Sequence, residues 1–415
     1  MNTIREKFLL ILRAALDGSI PAELENTTPE DWNEIFRLAG EHHVMPLVYE
    51  AGYRLSSVRD GKVPAFLAAR QLIFRQVMAQ VQKTSEFLQL YRHLQSDGIT
   101  PLVTKGIICR NLYPQPDHRP SGDEDVLIPP DQFESCHESL LRFGMETVTP
   151  EEAFHSAHEI SYHKPGSPLY IELHKHLFPP ESDAYGRWNL YFEDVFERSV
   201  DEDIYGNPVG TMGCTDHFFY LICHSFKHFL HSGFGIRQVC DIVLYANKYG
   251  SRIDWELLLR LCREIRAEYF TAALLKIGEK YLTFDPAQAC YPPCWQELQI
   301  DEEPMLEDLL SGGVFGGSTM SRKHSSTITL DAAAASSQGQ KAKSSLIASL
   351  FPPLKSMVRF YPYLEKHPWL LPWAWFRRIV RYSKETRTVS DSSAAEALKI
   401  GKERITLMKT YGIIN

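Results

Sequence analysis

The stretch RPSGDEDVLIPP, residues 119–130, carries Asp123, Glu124 and Asp125 directly before a short apolar run and a proline pair. Side chains two apart on a strand share a face, so Asp123 and Asp125 converge while Glu124 points away. Two convergent carboxylates joined by a third acid from a neighbouring strand make a hard-oxygen site suited to Mg2+ or Mn2+. Such a site can hold two metal ions that bind a triphosphate, activate an attacking hydroxyl and stabilise in-line phosphoryl transfer. Glu172 in LYIELH, 47 positions after Asp125, alternates with Ile171 and Leu173 on a second expected strand and is the candidate third acid. The competing reading is a solvated turn, the commonest fate of three successive acids.

Three neighbouring features favour the chemical reading. VTKGIICRNLY places Lys105 and Gly106 after a short strand and at the start of a helix, where backbone N–H groups and a cation suit phosphate. Pro114, Pro116 and Pro120 stiffen the approach to the acids, and Arg119 adds a second cation. A separate cluster lies in HSFKHFLHSGF, where His224 and His228 stand four apart on one helical face, with His231 one turn on and His217 two turns before. That is metal-ligand spacing, and with Asp241 it would describe a zinc hydrolase. The same spacing suits a packed helix face or the wall of a nucleotide pocket, and the Glu of an H-E-x-x-H motif is missing. Arg237 and Asp241, also four apart, are placed to form an ion pair or to bind substrate.

These residues need elements to position them. Residues 1–98 read as helical, with apolar positions at helical spacing in DWNEIFRLAGEHHVMPLVYEA and from Val63 to Leu94, and with Thr28 and Pro29 as a helix start. Short runs rich in β-branched or aromatic residues then appear at 99–104, 124–129, 145–149, 158–164 and 168–174, most of them bounded by Gly or Pro. Helical segments at 105–113 and 131–143 separate the earlier ones, so an α+β core is expected over 99–200. Helical periodicity returns from Thr215, within a helical domain expected over 201–310, and 311–348 is Gly/Ser/Ala-rich and reads as a flexible linker or loop. Residues 349–415 form a basic, aromatic helical tail.

With 44% hydrophobic residues in 415, the chain can fill a substantial core. Its formal charge of −8 excludes a polycation built to grip nucleic acid. Residues 355–415 nevertheless hold 12 Lys and Arg against 5 Asp and Glu. Within 367–387, three Trp join Arg377, Arg378 and Arg381, a combination that suits weak contact with a membrane surface or nucleic acid, or a terminal helix docked by its aromatics. No run approaches the length of a membrane span, the N-terminus reads as an amphipathic helix, and eight scattered Cys suggest reduced thiols. A cytoplasmic protein is expected.

The ordered set TKGIICRNLYPQPDHRPSGDEDVLI, YIELHKHLF and HFFYLICHSFKHFLHSGFGIRQVCDIVLYANKYGSRIDWELL resembles the poorly characterised bacterial nucleotidyltransferase family, a branch of the DNA polymerase beta-like nucleotidyltransferase superfamily. The resemblance runs from about residue 30 to 285. It implies a mixed-sheet transferase core flanked by helical regions, with Asp123 and Asp125 as paired metal ligands and Glu172 as the third acid. Lys105 and Gly106 stand where the superfamily usually has a Gly-Ser phosphate loop, and Glu124 stands where an apolar residue is more common. The helical region then shapes the acceptor site, with His174, His224, His228, Arg237 and Asp241 as candidate substrate-binding residues. The implied activity is Mg2+-dependent transfer of a nucleoside monophosphate from a nucleoside triphosphate, such as ATP, with release of pyrophosphate. The acceptor is open among small molecules, sugars, proteins and RNA. The alternatives are a metallohydrolase on the His224/His228 helix and a catalytically silent nucleotide-binding or interaction module.

Overall fold

The computed structural model describes residues 3–61, 63–149, 154, 157–313, 320–337, 354–358, 361–378 and 394–414. The first part of the chain is helical: α1 Thr3–Asp17, α2 Pro29–Glu41, α3 Met45–Gly52, α4 Ser56–Gly61 and α5 Pro64–Ser96. Thr28 caps α2, its hydroxyl accepting from the Asp31 N–H at 3.2 Å, with Pro29 supplying the fixed φ of a first helical position. Helix α5 spans 33 residues, and only one side of it is covered. Its C-terminal half buries Phe87, Leu90, Tyr91 and Leu94 in the core of the sheet domain.

Five strands follow: β1 Leu102–Val103, β2 Glu124–Leu127, β3 Glu146–Thr147, β4 Glu159–His163 and β5 Tyr170–His174. They form one sheet in the order β1-β2-β5-β4-β3, and only the β2–β5 pair is parallel. Between them lie α6 Gly106–Arg110 and α7 Phe133–Arg142. The fold is α+β, with a mixed sheet beside helical regions.

A hairpin, β6 Val200–Ile204 and β7 Asn207–Thr211, opens the segment expected to be a helical domain, ahead of the helical period that begins at Thr215. Tyr205 and Gly206 make its two-residue turn with φ of 52° and 78°, the left-handed backbone that two-residue hairpins require. Polar alternation in VDEDI and a proline in NPVGT hide the hairpin from periodicity. Its anchorage is tertiary, since the Thr211 hydroxyl donates to the Val103 carbonyl at 2.6 Å and the Gly210 N–H donates to the Tyr91 hydroxyl at 2.7 Å.

Helices α8 Cys214–His231, α9 Ile236–Tyr249, α10 Trp255–Glu264, α11 Glu268–Tyr281, α12 Pro293–Gln296 and α13 Glu303–Gly312 complete this region. They share one large apolar core with α1–α4 and the first half of α5. Part of the expected linker is also helix: α14 covers Met320–Ser337 and buries Thr329, Ala332 and Ala333. The Thr329 hydroxyl donates to the Leu230 carbonyl at the end of α8, 2.6 Å away, so packing rather than sequence period holds α14. Residues 314–319 and 338–348 of that linker lie outside the described residues.

The C-terminal helix Ala394–Thr410 packs on α14. In the aromatic tail, Trp369, Trp373 and Phe376 are exposed, so those rings are not docked, whereas Ala374 is buried. Pro372 sits in the first turn of a helix over 371–378, where its missing N–H costs no hydrogen bond. Residues 379–387 lie outside the described residues. All eight cysteines are free thiols, and no described helix is long and apolar enough to cross a membrane.

Candidate active site

The sheet register assembles the acids. In the parallel β2–β5 pair, Asp125 lies opposite Glu172, and His174 follows two residues later on the same face. Strand β4, antiparallel on the other side of β5, sets Glu159 opposite His174. Asp125 Oδ1 lies 3.3 Å from His174 Nε2, which is 3.9 Å from Glu172 Oε2. His174 Nδ1 faces Glu159 Oε2 at 3.6 Å. Asp123 precedes β2 and is half-buried at its mouth.

Two elements outside the sheet close over these groups. Lys105, at the entry to α6, directs its ammonium at Asp125 Oδ2, 3.0 Å away, and donates to His224 Nε2 on α8 at 2.9 Å. His228 Nε2 lies 3.2 Å from the same His224 nitrogen. Burial alone would raise the Asp125 carboxyl, but Lys105 and then His174 outweigh it and hold that carboxyl far below the usual range. Burial likewise opposes the Lys105 charge, and Asp125 reverses the effect so that the ammonium is held above its ordinary value. Glu172 moves the other way: burial, followed by the Asp125 and Asp123 charges, pushes it up to about 7. His224 and His228 are held well below the ordinary imidazole value by burial, with Lys105 next for His224 and Lys227 next for His228.

The three successive acids do not make a solvated turn. Glu124 and Asp125 are 0% and 3% exposed. Glu124 points away from its neighbours, as strand parity requires, but into protein: one oxygen accepts from Arg110 at 2.6 Å and the other from the Ile107 N–H at 2.7 Å. The Ile107 N–H, next after Gly106, is thus taken by Glu124, whereas Gly106 itself lines the cleft. Gly106 itself has φ of 44°, and a Cβ there would lie 1.9 Å from Glu124 Oε2.

Arg119 is likewise committed elsewhere. Its guanidinium grips both oxygens of Asp241 on α9, at 2.8 and 2.5 Å, and the Tyr113 hydroxyl donates to the same carboxylate at 2.7 Å. Asp241 is thus an anchor for the loop that leads to the acids. The expected Arg237–Asp241 pair is replaced by a bond from Arg237 to the Pro120 carbonyl. The hydrolase reading fails on the same geometry: His224 faces Lys105 and Asp241 faces Arg119, so His224, His228 and Asp241 do not share a ligand position. Among the described residues, the group with metal-ligand spacing is Asp125, Glu172 and His174, whose donor atoms all lie within 4.8 Å of one another. One nitrogen and two carboxylate oxygens fit a divalent cation.

Lys105, Gly106, Arg119, Asp123, Asp125, His224, Arg237 and Asp241 line one small cleft of about 50 Å3. Sequence reasoning missed the loop's clamp. Lys83 on α5, 4% exposed, donates to the Ser121 and Gly122 carbonyls at 2.8 and 2.6 Å, and Gln80 accepts from the Ser121 N–H at 2.9 Å. Arg110, Tyr113 and Glu159 were also missed. No local spacing marks any of them; for Lys83 the available signal was a polar residue sharing a helical face with Phe87 and Leu90.

The chain belongs to the family described as uncharacterised nucleotidyltransferase, whose profile matches residues 28–283. Among solved structures it is similar to an antigenic nucleotidyltransferase-like protein from Paracoccidioides brasiliensis, with 14% identity and a TM-score of 0.30 over 50% of this chain and 95% of that one. No curated protein matches the chain significantly.

Proposed function

We propose that the protein transfers a nucleoside monophosphate from a nucleoside triphosphate to an acceptor hydroxyl or phosphate, as a cytoplasmic member of the bacterial, DNA polymerase beta-like branch of nucleotidyltransferases. The observation that carries this reading is the parallel β2–β5 pairing, which sets Asp125 opposite Glu172, while Asp123 lines the same cleft as Asp125. Asp123, Asp125 and Glu172 would hold Mg2+ or Mn2+, which when bound offsets triphosphate charge and acidifies the acceptor hydroxyl. Lys105 is the cation on the cleft wall that meets the phosphates, and fixed charge of this kind is the main catalytic resource in phosphoryl transfer.

For a hydroxyl acceptor, its oxygen forms the new bond to the α-phosphorus, and the bond from that phosphorus to the bridging oxygen breaks. Pyrophosphate leaves with the bond's electrons, and Glu172 takes the hydroxyl proton. Leu221, His224 and Ser225 of α8 line the same cleft. The test is calorimetric binding of ATP, GTP, CTP and UTP with and without Mg2+, to wild type and to Asp123→Ala/Asp125→Ala. Metal-dependent binding of one nucleotide, lost in the double variant, is expected; equal binding by both proteins would reject the site.

A further inference from the structure

The sequence suits two metal ions, but the assembled side chains suit one. Asp125 presents its two oxygens to different partners: Oδ2 to the Lys105 ammonium at 3.0 Å, and Oδ1 to His174 Nε2 at 3.3 Å. Lys105 is held on both sides, because His224 Nε2 accepts from it at 2.9 Å, and its side chain is only 16% exposed. A fixed ammonium already neutralises the carboxylate oxygen that a second cation would need.

The other side is built differently. His174 is 4% exposed, its Nε2 points at Asp125 Oδ1 and Glu172 Oε2, and its Nδ1 faces Glu159 at 3.6 Å. Among the described residues, Asp125 Oδ2 and His174 Nδ1 are buried polar atoms without a well-aligned hydrogen bond. An imidazole with a carboxylate behind one nitrogen is oriented to offer the other to a metal, as histidine ligands commonly are. The donor atoms of Asp125, Glu172 and His174 lie within 4.8 Å of one another. Metal–donor bonds of about 2.1 Å separate neighbouring donors by roughly 3 Å and opposite donors by roughly 4.2 Å, so this triangle needs little adjustment to close on one ion.

We propose that the centre takes a single divalent cation on Asp125, Glu172 and His174, with the Lys105 ammonium serving in place of a second. The nitrogen donor favours a transition ion such as Mn2+ over Mg2+, which prefers oxygen ligands alone. This rests on the nucleotidyltransferase reading for the use of the site but not for its composition.

The experiment is titration of the full chain with Mn2+ alone, counting bound equivalents by electron paramagnetic resonance and detecting a nitrogen ligand by electron spin-echo modulation. Wild type is expected to bind one equivalent with 14N modulation. His174→Gln is expected to lose that modulation and bind Mn2+ about tenfold more weakly, and Lys105→Met to admit a second equivalent. Two equivalents in wild type, no binding, or modulation that survives in His174→Gln would overturn the proposal. If Lys105→Met still takes one equivalent, the substitution of lysine for metal is wrong. Should His174→Gln fail to fold, wild type labelled with 15N-histidine serves instead, and unchanged modulation frequencies overturn the assignment. Nucleotide binding measured on the same protein separates the two readings. Two metal equivalents with nucleotide binding reject only the single-cation centre, and one equivalent without nucleotide binding rejects only the transferase function.

Discussion

Glu124 and Asp125 are adjacent and both buried, yet their partners give them opposite uses. Glu124 is spent on Arg110 and the Ile107 N–H, whereas Asp125 faces the cleft with Lys105 and His174. Breaking a buried pair by removing one charge leaves the other unpaired and costs about 3–5 kcal/mol. Glu124→Gln is therefore expected to lower stability by an amount near the bottom of that range, because its amide still meets Arg110; urea unfolding measures it. Asp125→Asn should instead reduce nucleotidyl transfer by about a hundredfold or more, the usual loss when one preorganised electrostatic group is removed. A steady-state assay on folded variants separates the two, and full activity in Asp125→Asn would contradict the site.

The elements around the acids are held by contacts that tolerate little change. Helix α6 approaches β2 so closely that Gly106 leaves no room for a side chain, and its positive φ is one that other residues reach only with strain. Gly106→Ala is expected to destabilise the fold by about 2–4 kcal/mol, through backbone strain and displacement of the Glu124–Arg110 pair. A fall in thermal midpoint reports it, and an unchanged midpoint would mean that α6 moves freely.

Helix α5 acts from the other side, since Lys83 and Gln80 fasten the loop that delivers Asp123. Lys83→Met should weaken nucleotide binding several-fold while leaving the far helical region folded. Calorimetry and circular dichroism together check this outcome.

At the scale of the whole molecule, the large helical core depends on buried groups that do not themselves line the cleft. His42, stacked on Phe8, and His217, against the Thr104 carbonyl, are both fully buried, and burial lowers each to about 4. An unfolded imidazole titrates near 6.5. Between those values the unfolded chain takes up protons that the folded chain refuses. The stability is therefore complete above pH 6.5 and is lost as pH falls toward 4. A shift of this size amounts to roughly 3 kcal/mol per ring by pH 4. The thermal midpoint should fall over that window, and His42→Gln should show a shallower decline.

The C-terminal helix is tied to the same body. Arg404, 2% exposed, meets the Asp308 carboxylate at 2.7 Å, and the Tyr411 hydroxyl donates to the Asp301 carbonyl at 2.8 Å. Arg404→Met should cost about 3–5 kcal/mol by urea unfolding, with no direct effect on the cleft.

Strand parity and helical period act over a few residues, and the sequence by itself settled what depends on them: the five strands, the opposite directions of Glu124 and Asp125, and most of the helical stretches. It could not assign partners. Arg119 meets Asp241 across 122 positions, Lys105 meets His224 across 119, and nothing local in either segment favours those pairs. The same limit hid the hairpin β6–β7 and helix α14, whose anchors on Val103 and Leu230 lie 108 and 99 positions away. Which buried charge stabilises the fold and which faces the cleft is decided by what packs against it. In a low-dielectric interior each charge takes the nearest compensating group, and only the tertiary structure brings that group within reach.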